Sequence, residues 1–202
     1  MTTPAERFAL AKTRGKFSET NTFVERYPFS MDSFQVQGCQ ALESGKSVLV
    51  AAPTGAGKTI VGEFAAYLAI KTGKKCFYTT PIKALSNQKF AEFVAKFGEE
   101  NVGLLTGDTN INSEAPILVM TTEVLRNMLY AGSSTLTNLQ SVVMDEVHYL
   151  ADKFRGAVWE EVLIHLMESV QVISLSATVS NAEEFGEWLG TVRGGTDVIV
   201  SE

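Results

Sequence analysis

A chain of 202 residues, 45% hydrophobic and 20% charged, is sized for one globular domain, or one domain with an arm, and can bury a sizeable core. A net charge of −6 excludes a binder that works through one broad basic face, while leaving room for a local basic groove. No apolar run approaches the ~18 residues of a membrane span, the N-terminal "MTTPAERFALAKTRGKF" lacks a signal-peptide core, and two cysteines without metal spacing, Cys39 and Cys76, suit a reduced, cytoplasmic protein with no membrane partner.

Residues 1–26 are polar and mildly basic, and read as an arm, partly helical, that packs on the domain or stays loose. From about residue 32 a regular rhythm begins. The strand "SVLVAA" (47–52) leads into a helical stretch over 58–73. "CFYTT" (76–80) leads into another over 82–98. "VGLLT" (102–106) and "ILVMT" (117–121) follow, then a helix over 122–130. "SVVMD" (141–145) precedes a helix over 155–168, "VISLS" (172–176) one over 181–190, and "DVIV" (197–200) closes the series. Continuous apolar strands are the pattern of strands buried on both faces, as in a parallel sheet. Alternation with helices then gives an α/β doubly wound fold, whose ligands bind beyond the carboxyl ends of the strands. Each unusual polar cluster of this chain falls just after a strand.

The first such cluster is "AAPTGAGKT", between a strand and a helix. Gly55 and Gly57 let the backbone bend so that several N–H groups face one concavity, and the following helix adds its N-terminal dipole. Lys58 can reach the outer phosphates of a nucleotide and Thr59 can put its hydroxyl on Mg²⁺. The strict phosphate-loop pattern wants glycine at 52, and this chain has Ala52. A Gly-rich turn before a helix is the plain alternative, but Gly-Lys-Thr at this junction favours a nucleotide.

The second cluster ends the strand "SVVMD". An acidic strand end meeting water is the bland reading of Asp145 and Glu146. Downstream of a phosphate loop, a carboxylate at a strand end holds Mg²⁺, and its neighbour can orient the attacking water. Adjacent strand residues point to opposite faces, so Glu146 must stand just past the strand, where the chain turns. Asp145 then serves the metal and Glu146 the water. His148 reads on its own as a hydrogen-bonded turn residue, and His165 as a packing or solvent-facing residue of a helix.

"APTGAGKT", "TTPIKALSNQKF", "GLLTGD", "VMTTEVLRNMLY", "VVMDEVHYLAD", "RGAVWEEVLIHL" and "LSATVSNAEEFGEWLG" occur in that order. Together they resemble the first RecA-like domain of superfamily 2 helicases. More narrowly, they resemble the DEVH-box RNA helicases of the superkiller and exosome-cofactor type, including their actinobacterial relatives. The resemblance runs over residues 27–202 and leaves residues 1–26 unmatched. It implies a RecA-like doubly wound, mainly parallel sheet with helices on both faces, and ATP with Mg²⁺ as cofactors. It implies that Ala52, usual in this superfamily, belongs to a nucleotide loop with Pro53, Thr54, Gly55, Ala56, Gly57, Lys58 and Thr59. In "YPFSMDSFQ" it implies that Phe29 stacks on adenine and Gln35 bonds its edge; without it, these are an aromatic and a glutamine before a helix.

The same resemblance implies a nucleic-acid edge. Thr80, Pro81 and Lys83, then Gly107 and Asp108, then Thr121, Thr122 and Glu123 would lie along the nucleic-acid backbone. Singly, such Thr-rich strand ends are also ordinary helix caps. Ser176 and Thr178 would couple hydrolysis to domain movement, and His148 would link to a partner domain. Ser180 and Glu183 otherwise read as a capping box. The activity implied is that of an ATP-dependent 3′-5′ RNA helicase in RNA processing or decay, acting on single-stranded or structured RNA with RNA-decay factors. A second RecA-like domain would complete the site, so the chain reads as one part of a larger helicase. A DNA helicase or repair translocase, and a nucleotide-dependent interaction module, are the competing readings. A small-molecule kinase would need the phosphate loop but not "TTPIKAL" and "SAT".

Overall fold

The computed structural model describes residues 15–147, 156–177 and 182–201. Its eight strands are β1 (Ser47–Ala51), β2 (Lys75–Thr80), β3 (Val102–Leu105), β4 (Asn110–Ile111), β5 (Ile117–Thr121), β6 (Leu139–Met144), β7 (Gln171–Ser176) and β8 (Thr196–Val200). They form one sheet in the order β4-β3-β5-β2-β6-β7-β1-β8. Every neighbouring pair is parallel except β3 with the two-residue β4. The helices are α1 (Ser18–Val24), α2 (Ser33–Glu43), α3 (Thr59–Thr72), α4 (Lys83–Phe97), α5 (Thr122–Ala131), α6 (Gly156–His165) and α7 (Ala182–Arg193). None of these helices is long and apolar enough to cross a membrane.

Strand alternation divides the core in two. Val48, Val50, Tyr78, Val119, Val143 and Leu175 face a layer built from α1 to α4, with Phe23, Phe34, Val61, Phe64 and Phe93. Leu49, Phe77, Leu118, Met120, Val142 and Met144 face the opposite layer, with Leu125, Trp159, Val162 and Leu189 from α5, α6 and α7. Both faces are therefore apolar, and the expected doubly wound α/β sheet is what forms. Both cysteines are buried thiols, and burial alone pushes the Cys76 thiol up to about 12, which keeps it protonated and unreactive.

Part of the stretch read as an arm is built into this core. Phe23 is buried among Tyr27, Phe64 and Tyr67, with ring centroids 5.1 to 5.4 Å away. The Glu43 carboxylate, at the end of α2, accepts from the amides of Glu19 and Thr20 (3.1 and 2.8 Å) and from the Thr20 hydroxyl (2.7 Å). A carboxylate there satisfies amides that the first turn of α1 cannot satisfy itself. Phe23→Ala is expected to cost about 3–5 kcal/mol of unfolding free energy in urea titrations, the range for a buried aromatic. A loss below about 0.5 kcal/mol would mean that α1 is not part of the cooperative unit.

Candidate nucleotide site and nucleic-acid edge

The parallel register brings the carboxyl ends of β1, β7 and β6 side by side. The amide of Ala52, just past β1, donates to the carbonyl of Ser176, the buried last residue of β7 (3.1 Å). The chain then curls through Gly55 (φ +86°) and Gly57 (φ +83°), a left-handed conformation that glycine adopts without steric cost. A Cβ on Gly57 would stand 2.5 Å from the Gln35 amide nitrogen, so the loop also needs glycine there for space. α3 opens at Thr59 immediately afterwards. Lys58 donates from its Nζ to the carbonyls of Ala52 (2.6 Å) and Pro53 (2.9 Å). Burial lowers the Lys58 pKa, and the charges of Glu146 and Asp145 act in the opposite direction.

β6 stops at Met144, one residue earlier than the sequence predicts, yet the Asp145 amide still donates to the Thr79 carbonyl of β2 (3.0 Å). Asp145 is held at both oxygens: Oδ2 accepts from the Tyr78 hydroxyl (2.7 Å) and Oδ1 from the Glu146 amide (2.9 Å). Glu146 takes φ +58°, so the chain turns away directly after Asp145, where alternation required the second carboxylate to leave the strand. The Thr59 hydroxyl and the Asp145 carboxylate are hard oxygen donors, few in number, as Mg²⁺ held jointly by protein, phosphates and water requires. With a glycine-built cradle beside them, the residues fit a magnesium-bound nucleotide.

Gln35 lies within α2 as its third residue rather than before the helix. Its Nε2 donates to the carbonyls of Ala56 (3.3 Å) and Gly57 (3.2 Å), and its Oε1 accepts from the Asp32 amide (2.9 Å), closing a capping box. The helix start and the phosphate loop are thereby tied together. Phe29 is 52% exposed, with its ring edge-on to Tyr27 (5.4 Å). Tyr27 in turn donates to Glu63 of α3 (2.6 Å), and Lys96 of α4 bonds both.

The other predicted contacts collect on the other half of the same edge, beyond the adjacent ends of β3, β5 and β2. Lys83 and Asp108 are exposed and paired (2.5 Å), and Lys83 holds the Asp108 carboxyl below its usual range. Gly107 and Glu123 are exposed, and Pro81 and Thr121 are half-buried. Two hydroxyls are turned inward: the buried Thr80 bonds to Ser86 (2.7 Å) and to the Ile82 carbonyl (3.0 Å), and the buried Thr122 donates to the Thr80 carbonyl (3.3 Å). His148, Thr178 and Ser180 lie outside the described residues. His165 is exposed beside Tyr130 (5.2 Å between rings).

Sequence reading passed over Tyr78. The signal was available: a phenol near the end of an apolar strand, fully buried once both faces are covered, needs a hydrogen-bond acceptor. Burial, then the Asp145 charge, raise its pKa well above the ordinary phenol value.

The DEAD/DEAH box helicase family matches residues 32–185. The chain is 62% identical over 187 residues to "Probable helicase HelY" of Mycobacterium tuberculosis, covering 93% of this chain and 21% of that protein. It is 50% identical over 167 residues to "ATP-dependent RNA helicase mtr4" of Schizosaccharomyces pombe, covering 83% of this chain and 15% of that one. Among solved structures, "Crystal Structure of DUF1998 helicase MrfA" superposes with a TM-score of 0.70 at 20% identity, over 91% of this chain and 32% of that chain. This likeness agrees with the RecA-like fold. The chain thus spans about a fifth or less of the length of these two relatives.

Gln35→Ala removes the capping box and both carbonyl contacts at once. It is expected to cost about 1–2 kcal/mol in urea unfolding. An unchanged midpoint would mean that the loop and α2 are not joined energetically at this point.

Proposed function

Since the chain belongs to the DEAD/DEAH box helicase family, we propose that it is the ATP-binding, first RecA-like domain of an ATP-dependent RNA helicase of the superkiller and exosome-cofactor type. In this reading the whole protein moves 3′ to 5′ on single-stranded or structured RNA during RNA processing or decay, in the cytoplasm and alongside RNA-decay factors. The observation that supports it best is the convergence of Lys58, Thr59, Asp145 and Glu146 beyond the ends of β1 and β6, the two strands that flank β7. The relative named as an RNA helicase supports RNA as the substrate.

Each residue has a task in this reading. The loop amides from Thr54 to Thr59 and the dipole of α3 receive phosphates. Lys58 exchanges two neutral carbonyl partners for charged phosphate oxygens, which are stronger acceptors. Thr59 and Asp145 hold Mg²⁺, and Glu146 orients and deprotonates the attacking water. Magnesium–ATP, when bound, supplies the phosphoanhydride to be cleaved and the charge that neutralises it. Phe29 offers its exposed face to adenine, and Gln35 reads the base edge only by giving up its contacts with the Ala56 and Gly57 carbonyls. Ser176, with His148 and Thr178, carries the change at the γ-phosphate to a second RecA-like domain, whose arginines contribute ~10³–10⁵ in rate.

Along the other half of the edge, Pro81, Lys83, Gly107, Asp108, Thr121 and Glu123 follow a nucleic-acid backbone. For Thr80 and Thr122, whose hydroxyls are engaged internally, the contact falls to main-chain N–H groups at the starts of α4 and α5. Such contacts read backbone rather than sequence, which lets a domain of net charge −6 bind a polyanion locally.

Three measurements test the reading. The 202-residue chain is expected to bind ADP or ATP–Mg²⁺ weakly and to turn over little. Lys58→Ala should abolish that binding; robust RNA-stimulated hydrolysis by these residues alone would overturn the need for a second domain. In the full-length protein, Glu146→Gln should leave nucleotide affinity within about twofold and stop hydrolysis, a loss of at least 10² from removing a general base. Stimulation by RNA is expected to exceed stimulation by DNA of the same sequence, and the reverse would assign a DNA translocase.

A further inference from the structure

The candidate nucleotide half of the sheet edge (β6, β7, β1) and the candidate nucleic-acid half (β3, β5, β2) meet between β2 and β6. Tyr78 stands at this boundary. The parallel register sets it opposite Val143, and alternation puts Tyr78, Val143 and Asp145 on one face of the sheet. Its hydroxyl donates to Asp145 Oδ2 at 2.7 Å.

The ring is clamped from both sides. α3 approaches so closely that a Cβ on Gly62 would lie 3.0 Å from Tyr78 Cε2 and 3.1 Å from Val143 Cγ1. α4 supplies Phe93, edge-on at 5.0 Å between centroids and 78° between planes, and Lys89, whose Nζ lies 5.6 Å from the ring centroid. Tyr78 is fully buried, so no water competes for its hydroxyl. A phenol placed this deep is a fixed donor, because leaving it without an acceptor is costly.

We propose that Tyr78 is a positioning residue that aims the Asp145 carboxylate at the metal and transmits displacements of α4 to it. The proposal rests on the reading of Asp145 as the magnesium-holding carboxylate. The Tyr78 hydroxyl and the Glu146 amide each hold one carboxylate oxygen, so the plane of the group is set from β2 as well as from its own chain. A shift of α4, whose first turn carries Lys83, moves Phe93 and hence the ring. Donors behind a metal-holding group are worth 10–100-fold in metal affinity when removed.

The test is Mg²⁺ titration of fluorescent ADP binding to the 202-residue chain, with a parallel measurement in EDTA. Tyr78→Phe keeps the ring and its packing and removes only the hydroxyl. It should raise the half-saturating Mg²⁺ concentration about tenfold, while affinity in EDTA and the urea midpoint stay near those of the unmodified chain. Phe93→Leu, which keeps the hydroxyl but loosens its seat, should raise the half-point two- to threefold. Asp145→Asn separates the two levels of the argument. If it shifts the Mg²⁺ half-point and Tyr78→Phe does not, Tyr78 has no positioning role and the metal reading of Asp145 stands. If Asp145→Asn shifts nothing, the metal reading itself fails, and the role of Tyr78 with it. An unmoved half-point in Phe93→Leu would overturn the link to α4.

Discussion

Parallel pairing between apolar strands is the constraint on which the rest of this structure depends. Strands that are apolar throughout must be covered on both faces, so helices return the chain across the sheet and every long strand runs the same way. All their carboxyl ends then meet one edge. Polar residues placed just after separate strands become neighbours without any local signal of proximity. Ala52 and Ser176 are far apart in the chain and share a hydrogen bond because β1 and β7 pair. Tyr78 and Asp145 share one because β2 and β6 pair.

The edge is organised by strand order rather than by sequence order. The order β4-β3-β5-β2-β6-β7-β1-β8 sorts strand-end loops into two groups that meet between β2 and β6. The basic side chains of both groups already have partners. Lys58 rests on two carbonyls of its own loop, and Lys83 rests on Asp108. An exposed pair of this kind contributes little to stability and is readily exchanged for a phosphate. A negatively charged domain can in this way carry cationic groups that face a polyanion only when one arrives.

The long elements were legible in the chain because their signals are local. Seven runs rich in apolar and β-branched residues appear as seven strands, with ends shifted by a residue or so. β4 was not legible: two exposed residues pairing antiparallel at the sheet margin leave no periodic pattern. The arm could be read as partly helical, but not whether it packs or stays loose: Phe23 lies in a polar stretch, and its burial against Phe64 and Tyr67, like the bonds from Glu19 and Thr20 to Glu43, depends on helices further along the chain. At the site, Gly-Lys-Thr and Asp-Glu could be read as chemistry, since residue type and spacing carry that meaning. The carbonyl contacts of Gln35, the inward hydroxyls of Thr80 and Thr122, and the bond from Tyr78 to Asp145 could not. Each joins elements distant in sequence, and strand order decides whether they meet.

Glu146 carries a cost that its neighbours do not. Its φ of +58° is uncommon for a residue with a side chain, and the left-handed region costs such residues about 1–2 kcal/mol relative to the right-handed one. Glycine or asparagine would sit there more easily. With the role proposed for Glu146, position 146 is a point where selection for a stable chain and selection for the carboxylate pull in opposite directions. Variants chosen only for thermal resistance would drift there toward glycine, gaining robustness as they lose the acid that stands beside Asp145.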